Sequence, residues 1–252
     1  MSTSTVVVIP CYNEVQRLPS VHLQEFAAAE PEIGFVLVND GSSDATLELL
    51  RSLEAASPRS FQVIDQQPNR GKAEAVRRGM LAALARRPRY AGYWDADLAT
   101  PLDELKRFIA VLDRHPEREL VFGSRVRLLG RRIDRNPVRH YLGRLFATVV
   151  SLALRLPIYD TQCGAKLFRV SDETARLFAA PFRVNWTFDV ELIARLAAER
   201  HGSDRPPPAQ VIYELPLDEW HDVAGSKVKP HDFLKAAIEI ARIWFVYLRR
   251  LD

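Results

Sequence analysis

Tyr90-Ala91-Gly92-Tyr93-Trp94-Asp95-Ala96-Asp97 is a short apolar run that ends abruptly in two carboxylates. Residues 90–94 read as a strand. In an extended chain, residues i and i+2 point to the same side. Asp95 and Asp97 are then placed to face one hard cation and hold it against a diphosphate. A lone pair of this spacing also occurs in ordinary acidic loops. Its company gives it weight. Residues 5–9, Thr-Val-Val-Val-Ile, read as a buried strand stopped by Pro10. The run 34–38 leaves through Asn39-Asp40-Gly41-Ser42-Ser43-Asp44, and the run 61–64 is followed by Asn69-Arg70-Gly71-Lys72. Helices are expected between these strands: over 14–29, from a cap at Ser43 or Asp44 to about residue 56, and over 71–85. Strands alternating with helices predict an α/β fold with a parallel, doubly wound sheet. Ligands in such sheets bind at the carboxyl ends of the strands. Tyr12, Asp40, Asn69 and Asp95 all fall just past expected strand ends, which points to one shared site.

Beyond Asp97 the pattern changes. A helix is expected over 101–112, with Pro101 in its first turn and Asp103 and Glu104 favourable to its dipole. A strand follows at 120–123. From Arg125 to Arg144 there are seven arginines against one acid, Asp134. Such a block suits a phosphate-bearing partner or an anionic membrane face, or is a solvated basic loop. Residues 141–156 read as a helix with one polar stripe of Arg144, Thr148, Ser151 and Arg155. It is either a core helix with a solvated stripe or an interfacial helix with basic residues at headgroup level. Residues 233–251 repeat the theme, with Lys235, Glu239 and Arg242 as a stripe, Trp244 and Tyr247 as interface aromatics, and Arg249-Arg250 after them.

The chain has 252 residues, 47% of them hydrophobic, enough for one large domain with a full core. The expected division is a domain over 1–230 and an amphipathic helix over 231–252 that can lie on a membrane. A net charge of +3 is too weak to argue for nucleic acid. Two cysteines, Cys11 and Cys163, make no disulfide framework, so a reducing compartment is expected. The residues before the first strand carry no charged leader region. No apolar run reaches the ~18–20 residues of a spanning helix. Peripheral contact with a membrane from the cytoplasmic side is the expectation.

Taken together, the fragments resemble a known family. Val8-Ile9-Pro10-Cys11-Tyr12-Asn13-Glu14, Val38-Asn39-Asp40-Gly41-Ser42-Ser43-Asp44, Asn69-Arg70-Gly71-Lys72 and Asp95-Ala96-Asp97 resemble the inverting family 2 glycosyltransferases, whose nucleotide-sugar fold is called GT-A. Gly123-Ser124-Arg125, Asp160-Thr161-Gln162-Cys163-Gly164-Ala165-Lys166-Leu167-Phe168, Trp186-Thr187-Phe188-Asp189-Val190-Glu191-Leu192 and Gly225-Ser226-Lys227 look like the dolichyl-phosphate or polyprenyl-phosphate glucosyltransferase branch. Two departures stand out. The membrane helices found in many relatives are missing from this sequence. The mannosyl branch has a Gln two residues after the second Asp where this chain has Ala99, which favours UDP-glucose over GDP-mannose.

The resemblance implies roles. Pro10, Tyr12 and Glu14 form the nucleoside seat, and Asp40 reads the uracil imide, although Asn-Asp-Gly-Ser is turn chemistry anyway. Gly71 and Lys72 open a helix whose N–H groups and ammonium favour the diphosphate. Asp95 and Asp97 hold Mg²⁺ or Mn²⁺. Gln162 lies beside the donor sugar. Trp186, counted with the donor-binding residues or otherwise core, and Asp189 resemble the acceptor-side aromatic and carboxylate, Asp189 hydrogen-bonding sugar hydroxyls or serving in base-like orientation. Cys163 is packing. A polyprenyl phosphate acceptor is already ionised at pH 7 and needs no general base, only cations. Arg125, Arg139 and Arg144 are the expected cations, with Arg131, Arg132 and Arg135 toward headgroups or solvent. Lys227 closes over the diphosphate or is a solvated loop lysine. The implied partners are UDP-glucose, polyprenyl phosphate and the membrane surface, with a membrane-protein partner left open. The same fold acting on a hydroxyl acceptor, with another donor such as GDP-mannose, is the enzymatic alternative; a binding scaffold is the non-enzymatic one.

Overall fold

The structure, a computed structural model, describes residues 3–134, 137–221, 223 and 232–249, the side chains of 137–142 and 232–234 excepted. Along the chain run β1 (Thr5–Cys11), α1 (Ser20–Ala29), β2 (Ile33–Asp40), α2 (Thr46–Ala56), β3 (Phe61–Gln66), α3 (Lys72–Ala85), β4 (Tyr90–Tyr93) and α4 (Glu104–Arg114). Then come β5 (Leu120–Ser124), β6 (Arg132–Asp134), α5 (Pro137–Leu154), β7 (Lys166–Arg169), α6 (Asp172–Ala179) and α7 (Phe188–Arg200). The last are α8 (Pro208–Val211), β8 (Ile212–Pro216), β9 (Glu219–His221), α9 (Asp232–Ile243) and a π-helical turn, Trp244–Leu248.

Seven strands form one sheet in the order β3-β2-β1-β4-β7-β5-β8, and β6 pairs with β9 in a small ribbon. Pairings are parallel except around β7, which runs antiparallel to both β4 and β5. Successive β1 residues feed opposite faces. Val6 and Val8 join the cluster under α3 and α7, while Val7 and Ile9 join the one under α1 and α4. A strand covered on both faces must be apolar at every position, which is why 5–9 has no alternation.

Several boundaries differ from the sequence expectation. The first helix starts at Ser20, not residue 14. Residues 14–18 turn back instead, with the Arg17 and Leu18 amides donating to the Glu14 carbonyl, and Pro19 disfavours helix in the residue before it. The fourth helix starts at Glu104, not residue 101, after turns through Pro101–Asp103. Its Glu104 carboxylate leaves the helix to accept the Asp218 and Glu219 amides. α2 begins at Thr46 with Ala45, not Ser43 or Asp44, at its cap position and no side-chain cap; Asp44 Oδ1 accepts the Thr46 amide at 3.0 Å from one residue further out.

The α5 stripe behaves differently from its periodicity. Arg144 lies over the Tyr159 ring at 3.7 Å, and Ser151 donates to the Leu156 carbonyl at 2.5 Å. Both face the protein's own connecting segment. Leu145, Val149 and Leu152 are left exposed, at 65%, 47% and 73%. In α9, Glu239 is no solvated residue. Its carboxylate accepts the amides of Asn185, Trp186 and Thr187 and the Thr187 hydroxyl. The expected continuous helix to residue 251 gives way at Trp244 to the π-helical turn.

Candidate active site

The carboxyl ends of β1, β2, β3 and β4 converge as expected. β4 stops at Tyr93, so Asp95-Ala96-Asp97 sits on a turn rather than an extended strand. The Leu98 amide donates to the Asp95 carbonyl at 3.1 Å, Leu98 has a positive φ of 48°, and the Ala99 amide reaches Asp97 Oδ1 at 3.2 Å. Buried Trp94 ties the turn down, its indole N–H donating to the Thr100 carbonyl at 2.7 Å.

Each aspartate is met by a cation. Lys72 Nζ is 2.5 Å from Asp95 Oδ1, and Arg17 Nη2 is 2.7 Å from Asp97 Oδ2. Burial pushes the Asp95 carboxyl up, but Lys72, with help from Arg125 and Lys166, outweighs it and holds the group below the usual range. Asp97 goes the other way. Burial and the Asp95 charge raise it, and the Ala99 amide and Arg17 only partly offset them. Two neighbouring carboxylates pushed apart in this way are a common mark of a functional site. Among the described residues no cluster of three or more acidic, His or Cys side chains is arranged to hold a metal ion. The fit to a divalent ion, whose remaining ligands would be phosphate oxygens and water, rests on the two hard carboxylates alone; Lys72 and Arg17 hold one oxygen of each and would have to share it.

Gly164 closes in from the other side. A Cβ there would overlap the Asp95 carboxylate. This segment, 160–165, leads into β7 and is held from below by Lys166, which is fully buried. Its ammonium donates to the Thr161 and Cys163 carbonyls at 3.0 and 2.6 Å and pairs with Asp189 Oδ1 at 2.6 Å. The Tyr93 hydroxyl donates to the same Asp189 oxygen at 2.5 Å. Burial and Asp189 push that phenol well above its usual range. Asp189 is therefore a buried counter-ion whose Oδ1 has two partners. Burial pushes the Cys163 thiol up to about 11, in keeping with packing rather than nucleophilic chemistry.

The other expected residues are placed as follows. Pro10 lies within β1, paired in register with Val38, and Tyr12 is 40% exposed beyond it. The Glu14 amide donates to Thr46 Oγ1 at 2.8 Å. Asp40 is buried and accepts from Gln66 Nε2 at 2.5 Å, the Arg70 amide at 2.8 Å and Asn69 Nδ2 at 3.1 Å, so turn chemistry claims much of it. Gly71 takes a φ of 88° at the start of α3, and a Cβ there would strike the Asn185 side chain. Arg125 makes a two-point pair with Asp160, Nε to Oδ2 at 2.6 Å and Nη2 to Oδ1 at 2.9 Å. Gln162 Nε2, Thr161 Oγ1 and Ser124 Oγ around that pair are buried with no hydrogen-bond partner among the described residues. Trp186 packs edge-on against Phe146, ring centroids 5.9 Å apart, between α5 and α9. The Arg139 side chain and Arg135 and Lys227 lie outside the described residues. Sequence reasoning missed Arg17, Tyr93 and Asn185 as site neighbours. Lys166 and Gly164 stood inside a quoted motif, but without a role.

A mostly parallel sheet with a carboxylate pair and matched cations at its carboxyl edge marks an α/β protein whose ligand site lies at the strand ends. Residues 6–174 match the Glycosyl transferase family 2 profile, and the chain belongs to that family. It is 33% identical to a dolichyl-phosphate beta-glucosyltransferase of Trichomonas vaginalis over 97% of this chain and 72% of the relative. Against the Drosophila melanogaster dolichyl-phosphate beta-glucosyltransferase the identity is 34%, over 96% and 74%. Among solved structures, glucosyl-3-phosphoglycerate synthase from Mycobacterium tuberculosis, in complex with Mn²⁺, UDP and glucosyl-3-phosphoglycerate, matches with a TM-score of 0.63 at 16% identity, over 96% of this chain and 78% of that one. A mannosyltransferase from Pyrobaculum calidifontis, in complex with GDP-Man and Mn²⁺, matches at 0.58 and 19%, over 99% of this chain and 65% of that one. The fold is GT-A.

Proposed function

We propose that this glycosyltransferase moves glucose from UDP-glucose to a polyprenyl phosphate with inversion, giving a β-linked polyprenyl-phosphate glucose and UDP. The observation that carries this reading is the match to dolichyl-phosphate beta-glucosyltransferases along 97% of the chain. A phosphate oxygen of the acceptor attacks the anomeric carbon while the bond to the UDP β-phosphate breaks. The acceptor phosphate is ionised near neutral pH, so no side chain has to take a proton. Asp189, already shared by Lys166 and Tyr93, then serves by position. Lys72 stands at the site to balance charge on the departing diphosphate. A divalent cation held by Asp95 and Asp97, Mg²⁺ or Mn²⁺, supplies further positive charge there. The orphaned Gln162 amide and Thr161 hydroxyl suit donor-sugar hydroxyls. Tyr12 gives the base a face, with Pro10, Glu14 and Asp40 around it, and Gly71 opens the helix that meets the diphosphate. Arg125, Arg139, Arg144 and Lys227 are assigned to the acceptor phosphate, Arg125 using the N–H groups that Asp160 leaves.

Membrane docking is proposed through α5 and the C-terminal segment together, from the cytoplasmic face. No helix among the described residues is long and apolar enough to cross a membrane. The exposed Leu145, Val149 and Leu152 on α5, and Trp244 and Phe245 on the π-helical turn packed beside it, support an interfacial seat. Arg155 and Arg249 accompany them, and α5 contains no acid.

The test is transfer of labelled sugar from UDP-glucose into organic-extractable lipid, with a short polyprenyl phosphate, Mg²⁺ or Mn²⁺, and EDTA as control. Extractable label that EDTA abolishes is the expected result. Label only from another donor corrects the sugar. UDP release only with a hydroxyl acceptor overturns the lipid-phosphate reading.

Two further outcomes follow from the site. Gly164→Ala is expected to weaken binding of UDP with Mn²⁺ at least tenfold by calorimetry while moving Tm little, because the added methyl displaces the Asp95 carboxylate. The raised Asp97 carboxyl sets a pH dependence. Protons compete with the cation for that group, so Mn²⁺ affinity in the presence of UDP falls as pH drops through a pKa above the ordinary 3.8. Asp97→Asn is expected to remove that inflection from a pH titration of Mn²⁺ binding.

A further inference from the structure

A cleft of about 320 Å³ opens between the start of α3, the segment 182–185 and α9. Three guanidinium groups reach it from distant parts of the chain: Arg70 from the β3–α3 loop, Arg183 from the α6–α7 connection and Arg242 from α9. Among the described residues none of the three comes within ion-pair distance of a carboxylate, although the charge of Arg70 acts on Glu74 in the same cleft. Two carboxylates also line the cleft, and both are committed elsewhere. Glu74 is gripped by Arg77 through Nε at 2.7 Å and Nη2 at 2.8 Å, and Arg77, with smaller help from Arg70 and Arg78, holds it below the usual range. Glu239 is taken up by the amides of 185–187 and the Thr187 hydroxyl. The cleft therefore carries a surplus of positive charge. Asn185 adds an amide at its edge, its Oδ1 accepting from the Ala73 backbone at 3.4 Å. Guanidinium forks match phosphate oxygens in geometry and stay charged at any working pH.

We propose that this cleft is a phosphate-binding site, built from residues outside the donor and acceptor assignments, and that the headgroup of an anionic membrane lipid fills it. The source follows from its rim. Ile238 of α9 lines the cleft and is 64% exposed, and α9 runs on into the exposed Trp244 and Phe245. A lipid phosphate drawn in by Arg70, Arg183 and Arg242 places those apolar side chains at the acyl boundary. The phosphate chemistry stands on the cleft alone; only its lipid source rests on the membrane docking proposed above.

The test uses the full chain and the double variant Arg183→Gln/Arg242→Gln. A control, Arg51→Gln/Arg59→Gln, removes the same charge near α2. Binding is measured by co-sedimentation with phosphatidylcholine vesicles, with and without phosphatidylglycerol, and by calorimetry with soluble glycerol phosphate. Phosphatidylglycerol is expected to strengthen binding of the unmodified chain. The cleft variant should lose roughly 30-fold of that gain, at about 1 kcal/mol per arginine, while the control keeps it. Transfer to a short-chain acceptor in solution should be unchanged in the cleft variant, so a failed transferase reading is told apart from a failed cleft. Equal losses in both variants, or none in the cleft variant, overturn the site. Binding of glycerol phosphate that the cleft variant loses, with no vesicle preference, overturns the lipid source.

Discussion

Asp97→Asn is expected to lower the transfer rate by roughly 10³-fold, several kcal/mol of charge stabilisation at about 1.4 kcal/mol per decade. The fold should survive it. Asp97 lies on a turn, its side chain is 22% exposed, and its partner Arg17 is itself part-exposed. The amide keeps the shape and can still accept from the Ala99 backbone, but it gives up the charge that a divalent ion and Arg17 both answer. Asp95→Asn should be as severe and should also release Lys72. Initial rates with UDP-glucose, alongside Mn²⁺ binding followed by electron paramagnetic resonance with UDP present, separate lost chemistry from lost folding. Wild-type rates together with wild-type Mn²⁺ binding would remove the pair from the mechanism.

Lys166→Met is expected to have the largest effect on stability. Lys166 is fully buried and the Asp189 side chain is only 5% exposed. Removing one partner of such a pair strands a charge away from water, at about 3–5 kcal/mol. For a chain of this size that corresponds to a fall in Tm of roughly 6–20 °C. The double variant Lys166→Met/Asp189→Asn should recover most of the loss, because no charge is stranded and the Tyr93 hydroxyl keeps an acceptor. Differential scanning calorimetry of the two singles and the double gives the coupling directly. Additive losses would mean that the ammonium acts mainly through the Thr161 and Cys163 carbonyls. Transfer activity should fall in step, since those carbonyls belong to the segment that sets Gly164 against Asp95.

The strands of the first half were legible because both faces of β1 and β2 are covered, so their apolar runs have no polar interruption. The turns after them were legible through Asn39-Asp40-Gly41 and Asn69-Arg70-Gly71, whose residue types demand tight turns. Helix starts were harder. Glu14 and Pro101 carry ordinary start signals, yet each precedes a turn, because tertiary hydrogen bonds claim the backbone first. The cation on Asp97 comes from 80 residues upstream, and no local pattern announces a contact of that range. Lys166 looks like any strand-edge lysine in sequence. Only the reversed β7 shows that it points into the core. Glu239 reads as helix-surface polarity until the 185–187 amides are seen to need an acceptor.

The reversed strand β7 also governs the order in which the molecule can be completed. It lies between β4 and β5, and it is made after both. Until residues 166–169 leave the ribosome, the four-stranded half β3-β2-β1-β4 has an open edge at β4, and β5 has no neighbour to join. Both waiting strands are wholly buried in the finished protein. Open apolar edges of this kind invite pairing between nascent chains. β5 keeps a second open edge until β8 is made, so synthesis of this protein passes through a window, from about residue 94 to residue 216, in which protection by a chaperone matters most. A stalled or truncated chain ending inside that window is the form expected to aggregate.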